Sequence, residues 1–280
     1  MAGKLYLVGT PIGNLGDLSP RARRTLEEAD FIAAEDTRVT LKLLNHFGIS
    51  KPLVSYYQHN KERSGERIVE RILSGENCAL VTDAGMPIVS DPGEDLAVAC
   101  AAAGIEITAV PGPCAAVTAL ALSALPAGRF CFEGFLSTSK KSREEHLESL
   151  RDEKRTMIFY EAPHKLQKTL EDMARAFGPE RRVSLCRELT KLHEEVLRTT
   201  LGEAEVLYGA EPPRGEFVLI VEGAPERSEE RMPVEKALER VKYYRSEGRS
   251  MKEAAKLAAA DTGYSKNELY ELTLRERDQK

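Results

Sequence analysis

Residues 80–93 read L-V-T-D-A-G-M-P-I-V-S-D-P-G, and they give the strongest indication of the fold. The stretch begins inside the apolar run Ala79–Val81, which stops at Thr82 and Asp83 and therefore predicts a buried strand. Loops of glycine, proline and aspartate bind ligands where strand carboxyl ends meet a crevice in an open α/β sheet. Glycines let backbone amides approach a ligand, and prolines fix the path of the loop. The alternative is two consecutive turns before a helix that starts near Glu94.

Two further junctions repeat this strand-to-loop pattern. The strand-like run Lys4–Val8 leads into a glycine-rich loop at 9–17, and a helix is predicted from Pro20. This loop matches neither the P-loop nor the G-x-G-x-x-G dinucleotide pattern. The run 106–110 leads into Pro-Gly-Pro-Cys at 111–114, followed by an apolar helix. Three such junctions predict one ligand that several strand ends hold together.

Composition limits the class of protein. A chain of 280 residues has room for one large domain or two modest ones. Its formal net charge of −5 restricts any RNA contact to a local basic patch. The five cysteines form no C-x-x-C pair and predict reduced core residues, not disulfides or zinc ligands. Without an apolar run of membrane-spanning length or a secretion signal, we expect a cytoplasmic protein with no membrane contact.

The order of predicted elements gives the domain organisation. Strands and helices alternate along the first 225 residues, which is typical of layered α/β domains. We predict an N-terminal α/β domain over 1–112, a second α/β domain over 113–225, and a cleft between them. Pro225 and Pro233 flank an acidic segment at 226–230, and the pattern beyond it is helical. Residues 226–280 are therefore predicted to form a small helical domain.

The helical tail is basic and resembles a helix–turn–helix. Between Lys236 and Lys256 there are seven Lys or Arg residues against three Glu. Ser250 with Glu253, and Ser265 with Glu268, have the spacing of capping boxes. Either this tail docks on RNA, or it is a helical appendage with ordinary surface lysines.

Several sequence blocks carry a resemblance to a known family. The first four are L-V-G-T-P-I-G-N-L-G-D (7–17), A-D-F-I-A-A-E-D-T-R (29–38), T-D-A-G-M-P-I-V-S-D-P-G (82–93) and A-V-P-G-P-C-A-A (109–116). The others are F-E-G-F-L (132–136), F-Y-E-A-P-H-K-L (159–166), R-E-L-T-K-L-H-E (187–194) and G-E-F-V-L-I-V (215–221). In order and spacing these blocks resemble the tetrapyrrole methylase superfamily, nearest to its members that act on small-subunit ribosomal RNA. Met86 and Lys165 depart mildly from the family pattern.

The resemblance implies a function and a set of site residues. It implies 2′-O-methylation of a cytidine in 16S ribosomal RNA with S-adenosylmethionine as cofactor and no metal. The implied partners are the small-subunit RNA or the 30S particle and a second copy of the chain in a homodimer. The implied cofactor-binding residues are Thr10, Pro11, Asp83, Ala84, Gly85, Met86, Cys114, Ala115, Tyr160, Glu161, Ala162, Phe217 and Val218. For Asp83, the alternative is that its carboxylate caps a turn or a helix.

The acceptor side of the reaction is harder to predict. A ribose 2′-hydroxyl is a poor nucleophile at neutral pH, so a base or a cationic environment assists its attack. Charged side chains follow two predicted strands, at Glu35–Arg38 and Arg187–Lys191. From them we predict catalytic roles for Asp36, Arg38 and Lys191, with His164 as a further candidate. The alternative is a structural salt-bridge network.

Two other functions stay open from the sequence. A small tetrapyrrole-like acceptor would need no basic helical tail, and a noncatalytic RNA-binding ribosome assembly factor would need no intact donor loops. The segment Ser139–Arg143 is basic and serine-rich, and we predict a surface loop there that either grips phosphates or is simply exposed.

Overall fold

The computed structural model of the protein describes residues 2–91, 93–210, 213–225 and 232–278. The chain divides into two compact units, residues 1–224 and residues 225–280. The acidic segment 226–230 lies outside the described residues. The boundary predicted between residues 112 and 113 stays a prediction.

A five-stranded parallel sheet forms the first part of the first unit. Its strands are β1 (Lys4–Val8), β2 (Phe31–Ala34), β3 (Leu53–Ser55), β4 (Cys78–Val81) and β5 (Glu106–Val110), in the order β3-β2-β4-β1-β5. The helices that follow these strands are α1 (Pro20–Glu28), α2 (Thr37–His46), α3 (Lys61–Leu73), α4 (Gly93–Ala102) and α5 (Ala115–Leu122). Because all four strand pairings are parallel, the strand carboxyl ends meet at one edge of the sheet.

Helices cover both faces of this sheet. All four residues of β2 are buried, and alternate side chains along it enter different apolar clusters. Ile32 packs in one cluster with Leu26 of α1 and Leu44 of α2. Phe31 packs in the other with Ile68 of α3. Each such fully buried side chain contributes about 1.5–3 kcal/mol of hydrophobic stabilisation, which explains the continuous apolar runs of these strands.

A second five-stranded sheet completes the first unit. Its strands are β6 (Phe130–Phe135), β7 (Thr156–Glu161), β8 (Arg182–Arg187), β9 (Glu195–Thr200) and β10 (Phe217–Val221), in the order β6-β7-β10-β8-β9. Strand β6 pairs parallel with β7, and the remaining neighbours are antiparallel. The helices of this part are α6 (Lys140–Ser149), α7 (Pro163–Phe177) and α8 (Leu201–Ala210).

Helix α5 connects the two sheets and packs on the second one. It follows β5 of the first sheet, and its Ala119 and Leu120 pack in one cluster with Ile158 of β7. Leu147 of α6 and Leu166 of α7 pack in a different cluster, on the opposite face of the second sheet. The predicted α/β class, with two helix-covered sheets and a separate helical C-terminal part, is confirmed.

The prediction of a basic loop at 139–143 is wrong. Ser139 is the N-cap of α6, and the helix begins at Lys140. Arg143 is buried, and its Nε donates a hydrogen bond of 2.8 Å to Asp172 of α7. A serine before a helix is a common N-cap, so this segment starts a helix and sends one of its cations into the core.

The second unit contains α9 (Val234–Ser246), α10 (Met251–Thr262) and α11 (Lys266–Asp278). The predicted capping box forms: the Glu253 amide donates to Ser250 Oγ at 3.3 Å, and the Ser250 amide donates to Glu253 Oε2 at 3.0 Å. Small apolar residues such as Ala254 and Ala258 pack the three helices together around Leu269. None of the helices in the described ranges has the length and apolar character needed to cross a membrane.

Candidate functional site

A cleft of about 490 Å³ lies where loops of the first sheet meet strand ends of the second sheet. The first sheet contributes residues that follow β1, β2, β4 and β5, and the second sheet contributes residues from β7, β8 and β10. The volume is in the range typical of sites for small organic ligands. The cleft is therefore the leading candidate for the functional site.

Most of the predicted cofactor residues line this cleft. They are Asp83, Ala84, Gly85, Met86, Cys114, Ala115, Tyr160, Glu161, Ala162, Phe217 and Val218. Thr10 and Pro11 instead line a second cavity of about 270 Å³, which adjoins the cleft and shares Thr82 and Asp83 with it. The full described lining of this second cavity is Thr10, Pro11, Gly13, Leu15, Val39, Thr40, Lys42, Leu43, Thr82 and Asp83.

Backbone contacts between loops fix the floor of the cleft. Thr10 and Gly85 exchange two backbone hydrogen bonds, of 2.9 and 3.1 Å. Gly9 and Gly112 pack backbone to backbone: a Cβ on Gly9 would lie 2.7 Å from Gly112 Cα and 2.7 Å from Met86 Sδ. The predicted role of these glycines was to let the backbone approach a ligand. In the structure they let the backbones of two loops approach each other, and this contact holds the loops together around the cleft.

The loop after β4 contains strained backbone and an unpartnered carboxylate oxygen. Ile88 and Ser90 have positive φ angles of 81° and 69°, a conformation that costs of the order of 1 kcal/mol or more for such residues and is common at functional sites. Asp91 Oδ1 accepts a hydrogen bond of 2.7 Å from the Gly93 amide. Asp91 Oδ2 is buried without a hydrogen-bond partner among the described residues. Burial, chiefly, raises the pKa of Asp91.

Asp91 was not among the predicted site residues, although it lines the cleft. The signal was present in the S-D-P-G end of the loop that the sequence marks as ligand-binding. Carboxylates that line a cleft suit a ligand that carries hydroxyl or ammonium donors, and Asp91 and Asp83 both line this one. S-adenosylmethionine carries both kinds of donor, so this part of the cleft fits it.

Asp83 lies in the wall between the cleft and the second cavity. Its Oδ1 accepts a hydrogen bond of 3.0 Å from the Asp36 backbone amide, so the capping role given as the alternative is present. Its Oδ2 accepts no hydrogen bond from the residues that the structure describes. Burial raises the pKa of Asp83, and the negative charges of Glu35 and Asp36 add to this effect. Asp83 is thus a carboxylate with one oxygen held and the other available.

Asp36 and Arg38 pair with each other at the start of α2. Asp36 is the N-cap of α2, and its carboxylate accepts a hydrogen bond of 2.8 Å from the Arg38 amide. Its Oδ2 lies 2.6 Å from the Arg38 guanidinium. The Arg38 side chain and its amide lower the pKa of Asp36 to about 2. Neither residue belongs to the described lining of the cleft or of the second cavity. Their predicted catalytic roles stay predictions.

Lys191 lines the cleft from the second sheet. Its Nζ lies 2.8 Å from Glu188 Oε1 and 2.8 Å from Glu216 Oε2. Burial opposes the charge of Lys191, but these two carboxylates outweigh it and raise the pKa of the lysine. Its stem packs against the loop after β1, because a Cβ on Gly13 would lie 2.5 Å from Lys191 Cγ. Lys191 is therefore a fixed cation at neutral pH and not a base.

Tyr160 and Glu161 occupy the end of β7 but differ in their free groups. The Ala116 amide donates a hydrogen bond of 3.2 Å to the Tyr160 hydroxyl oxygen. Burial raises the pKa of this tyrosine to about 12. The tyrosine O–H thus stays available to donate into the cleft. Both Glu161 oxygens already accept hydrogen bonds, at 2.8 Å from the Ala162 amide and 2.6 Å from Thr169 Oγ1. Glu161 therefore shapes the cleft wall with its carboxylate already satisfied.

The candidate residue His164 does not line the cleft, whose wall also includes apolar surface. His164 is exposed and does not belong to the described lining of the cleft. Among the described residues, no group of three or more His, Cys, Asp or Glu side chains has the geometry of a metal site. The apolar surfaces of Ala115, Phe217 and Val218 face the same cleft, where a flat aromatic ligand group can pack.

Comparison with known proteins places this site in a family. Residues 4–205 match Tetrapyrrole (Corrin/Porphyrin) Methylases, and residues 230–277 match the RsmI C-terminal HTH domain. The Ribosomal RNA small subunit methyltransferase I of Halalkalibacterium halodurans is 50% identical over 273 residues, covering 96% of this chain and 94% of that protein. The protein of the same name from Escherichia coli O157:H7 is 44% identical, covering 98% of this chain and 96% of that protein.

Solved structures share the fold over about four fifths of this chain at low identity. A uroporphyrin-III C-methyltransferase from Thermus thermophilus, complexed with S-adenyl homocysteine, aligns with a TM-score of 0.56 and 19% identity over 79% of this chain and 97% of that one. A diphthine synthase aligns with a TM-score of 0.61 and 14% identity over 79% of this chain and 90% of that one. The chain therefore belongs to the tetrapyrrole methylase family and, within it, to the family of the Ribosomal RNA small subunit methyltransferase I proteins.

Proposed function

We propose that the protein transfers a methyl group from S-adenosylmethionine to the 2′-hydroxyl of a cytidine in small-subunit ribosomal RNA. The observation that carries the proposal is the cleft between the two sheets, which the residues Asp83 and Asp91 line together with apolar side chains such as Phe217. The near full-length relatives named as ribosomal RNA methyltransferases support the choice of substrate.

The donor is S-adenosylmethionine, and the cleft offers groups for each of its parts. When bound, it supplies a methyl group on a sulfonium centre, which an oxygen nucleophile takes by in-line displacement. Ala115, Phe217 and Val218 provide apolar surface for a flat base. The carboxylates that line the cleft, Asp83 and Asp91, would accept from its hydroxyl or ammonium groups, and the Tyr160 hydroxyl would donate. The predicted cofactor role of Glu161 is limited to shape, because its oxygens are occupied.

We infer that Asp83, and not Asp36, is the carboxylate that faces the reacting hydroxyl. A carboxylate held near a pKa of about 2 by Arg38 is a weak proton acceptor, whereas partial desolvation and neighbouring carboxylates raise the pKa of Asp83. The Asp36–Arg38 pair then acts as a positioning device, because the Asp36 amide holds Asp83 Oδ1 at 3.0 Å. Lys191, which also lines the cleft, contributes a fixed positive charge.

The second unit supplies positive charge for a nucleic acid. Arg240 and Lys242 have acidic partners at 2.8 and 2.6 Å, so their charges are partly neutralised. Lys252 and Lys256 on α10 are exposed and have no ion-pair partner among the described residues. Such lysines bind phosphates without regard to sequence, which suits docking on the small-subunit RNA or the 30S particle. The homodimer and the absence of a metal stay predictions.

The test is methyl transfer from radiolabelled S-adenosylmethionine to small ribosomal subunits from cells that lack this gene. The label is expected in one 2′-O-methylcytidine of the RNA, identified by ribose mapping. A parallel reaction with naked RNA tells whether the assembled particle is required. Label in a base, or in a small tetrapyrrole and not in RNA, contradicts the proposal. Cofactor binding without transfer to any ribosomal substrate favours a noncatalytic assembly factor.

A further inference from the structure

The second cavity adjoins the cleft at the place where transfer must happen. Thr82 and Asp83 line both spaces, and Gly13, which lines the second cavity, packs against the stem of Lys191, which lines the cleft. A reacting oxygen must come within about 3–3.5 Å of the methyl carbon. A ligand in the second cavity that reaches Thr82 and Asp83 lies beside the donor space, where this approach is made.

The walls of the second cavity suit an unstacked nucleobase. Leu15, on a 3-10 turn at Leu15–Asp17, and Val39, on α2, line it, and each keeps 39% of its surface exposed. Leu43 and Pro11 add further apolar surface. Bases removed from a stack pack between apolar or aromatic side chains, and polar groups at the end of such a space read their edges. Here the polar end is formed by the wall shared with the cleft.

The charge around the second cavity suits the nucleotide's phosphates. Lys42 lines the cavity and has no ion-pair partner among the residues that the structure describes. The Arg38 side chain, one turn earlier on α2, is 87% exposed, although its guanidinium also pairs with Asp36 at 2.6 Å. Positive side chains at a rim position the phosphates that flank a base, while the apolar interior takes the base itself.

We propose that the second cavity receives the base of one flipped-out pyrimidine nucleotide, whose ribose then lies against Asp83 at the shared wall. Its volume of about 270 Å³ is sufficient for one pyrimidine base. The inference rests on the proposed RNA methylation and adds to it a separate acceptor site, lined by Leu15 and Val39 and distinct from the donor cleft.

The test fills this cavity without touching the donor cleft. Val39→Trp places an indole in the cavity, and Leu41→Trp places the same group two residues away on α2, at a residue that is 48% exposed and does not line it. Leu15→Trp fills the cavity from the opposite wall and serves as a second, independent variant. Each variant is assayed as the full chain for S-adenosylmethionine affinity by calorimetry and for KM and kcat on small subunits.

Val39→Trp and Leu15→Trp are expected to raise the KM for the RNA substrate about tenfold or more, as loss of a stacked base does. Their affinity for S-adenosylmethionine and their unfolding free energy are expected to stay near those of Leu41→Trp. Wild-type KM in both filling variants overturns the inference and leaves the proposed function standing. Absence of transfer by the wild-type chain itself overturns the proposed function and the inference together. Should one filling variant not fold, the other decides the question from its own wall.

Discussion

Gly85→Ala tests whether the backbone bridge across the cleft floor shapes the donor site. Gly85 has a φ of +85°, where an L-residue pays about 1–2 kcal/mol in steric strain. A Cβ there would also lie 3.3 Å from Ile12 Cγ2, and Ile12 lines the cleft. We therefore expect the variant to lose about 1–2 kcal/mol of unfolding free energy and about tenfold in S-adenosylmethionine affinity, equivalent to about 1.4 kcal/mol.

Gly104→Ala is the matched control. Gly104 has a φ of +70°, and nothing lies within 4 Å of an added Cβ. The backbone strain is therefore similar, but the cleft is not touched. Urea unfolding measures the stability of both variants, and calorimetry measures donor binding. The reasoning is refuted if both variants lose donor affinity equally, or if Gly85→Ala binds the donor as the wild type does.

Three further predictions follow from the charged groups. Asp83→Asn is expected to lower the rate of methyl transfer about 100-fold. Asp36→Asn keeps a good N-cap and is expected to lower this rate much less. Single-turnover rates measure both effects, and equal losses in the two variants contradict our assignment. Arg143→Met breaks a buried ion pair and is expected to cost about 3 kcal/mol of unfolding free energy. The control Arg151→Met breaks an exposed pair and is expected to cost less than about 1 kcal/mol. Equal costs in denaturant unfolding contradict the expected contribution of the buried pair. The Lys191 ammonium lowers the pKa of Glu188 below its usual 4.5, so this carboxylate stabilises the fold above that pH. The stabilisation is lost as the pH falls through the folded-state pKa of Glu188. Glu188→Gln is expected to make the unfolding free energy depend less on pH in the acid range, and an unchanged dependence contradicts this.

The strand ends of the site were predictable because their signals are local. Apolar runs such as Cys78–Val81 predict buried strands, and glycine or proline directly after them predicts a loop. Parallel pairing then brings these loops to one edge of the sheet, as the pairing of Ala34 with Val81 shows. This is why Asp83 and Met86 were expected at a ligand site, and both line the cleft.

The remaining features depend on contacts that are distant in sequence. That the Asp36 amide holds Asp83 follows from the adjacency of β2 and β4, which no local pattern specifies. Arg143 is buried because its guanidinium pairs with Asp172, which lies 29 residues later on α7. Thr10 lines the second cavity and not the cleft, because its backbone is tied to Gly85. Sequence patterns thus identified the loops, while tertiary pairing determined which side chains within them stay free.

The most direct test of the account is a crystal structure of the full chain with S-adenosylhomocysteine. We expect the ligand in the cleft between the two sheets, with its base against Phe217 and Val218 and a polar group near Asp91. We also expect the second cavity beside Val39 to stay free for the acceptor. Ligand bound in the second cavity, or away from both spaces, would contradict the central claim that the cleft is the methyl-donor site.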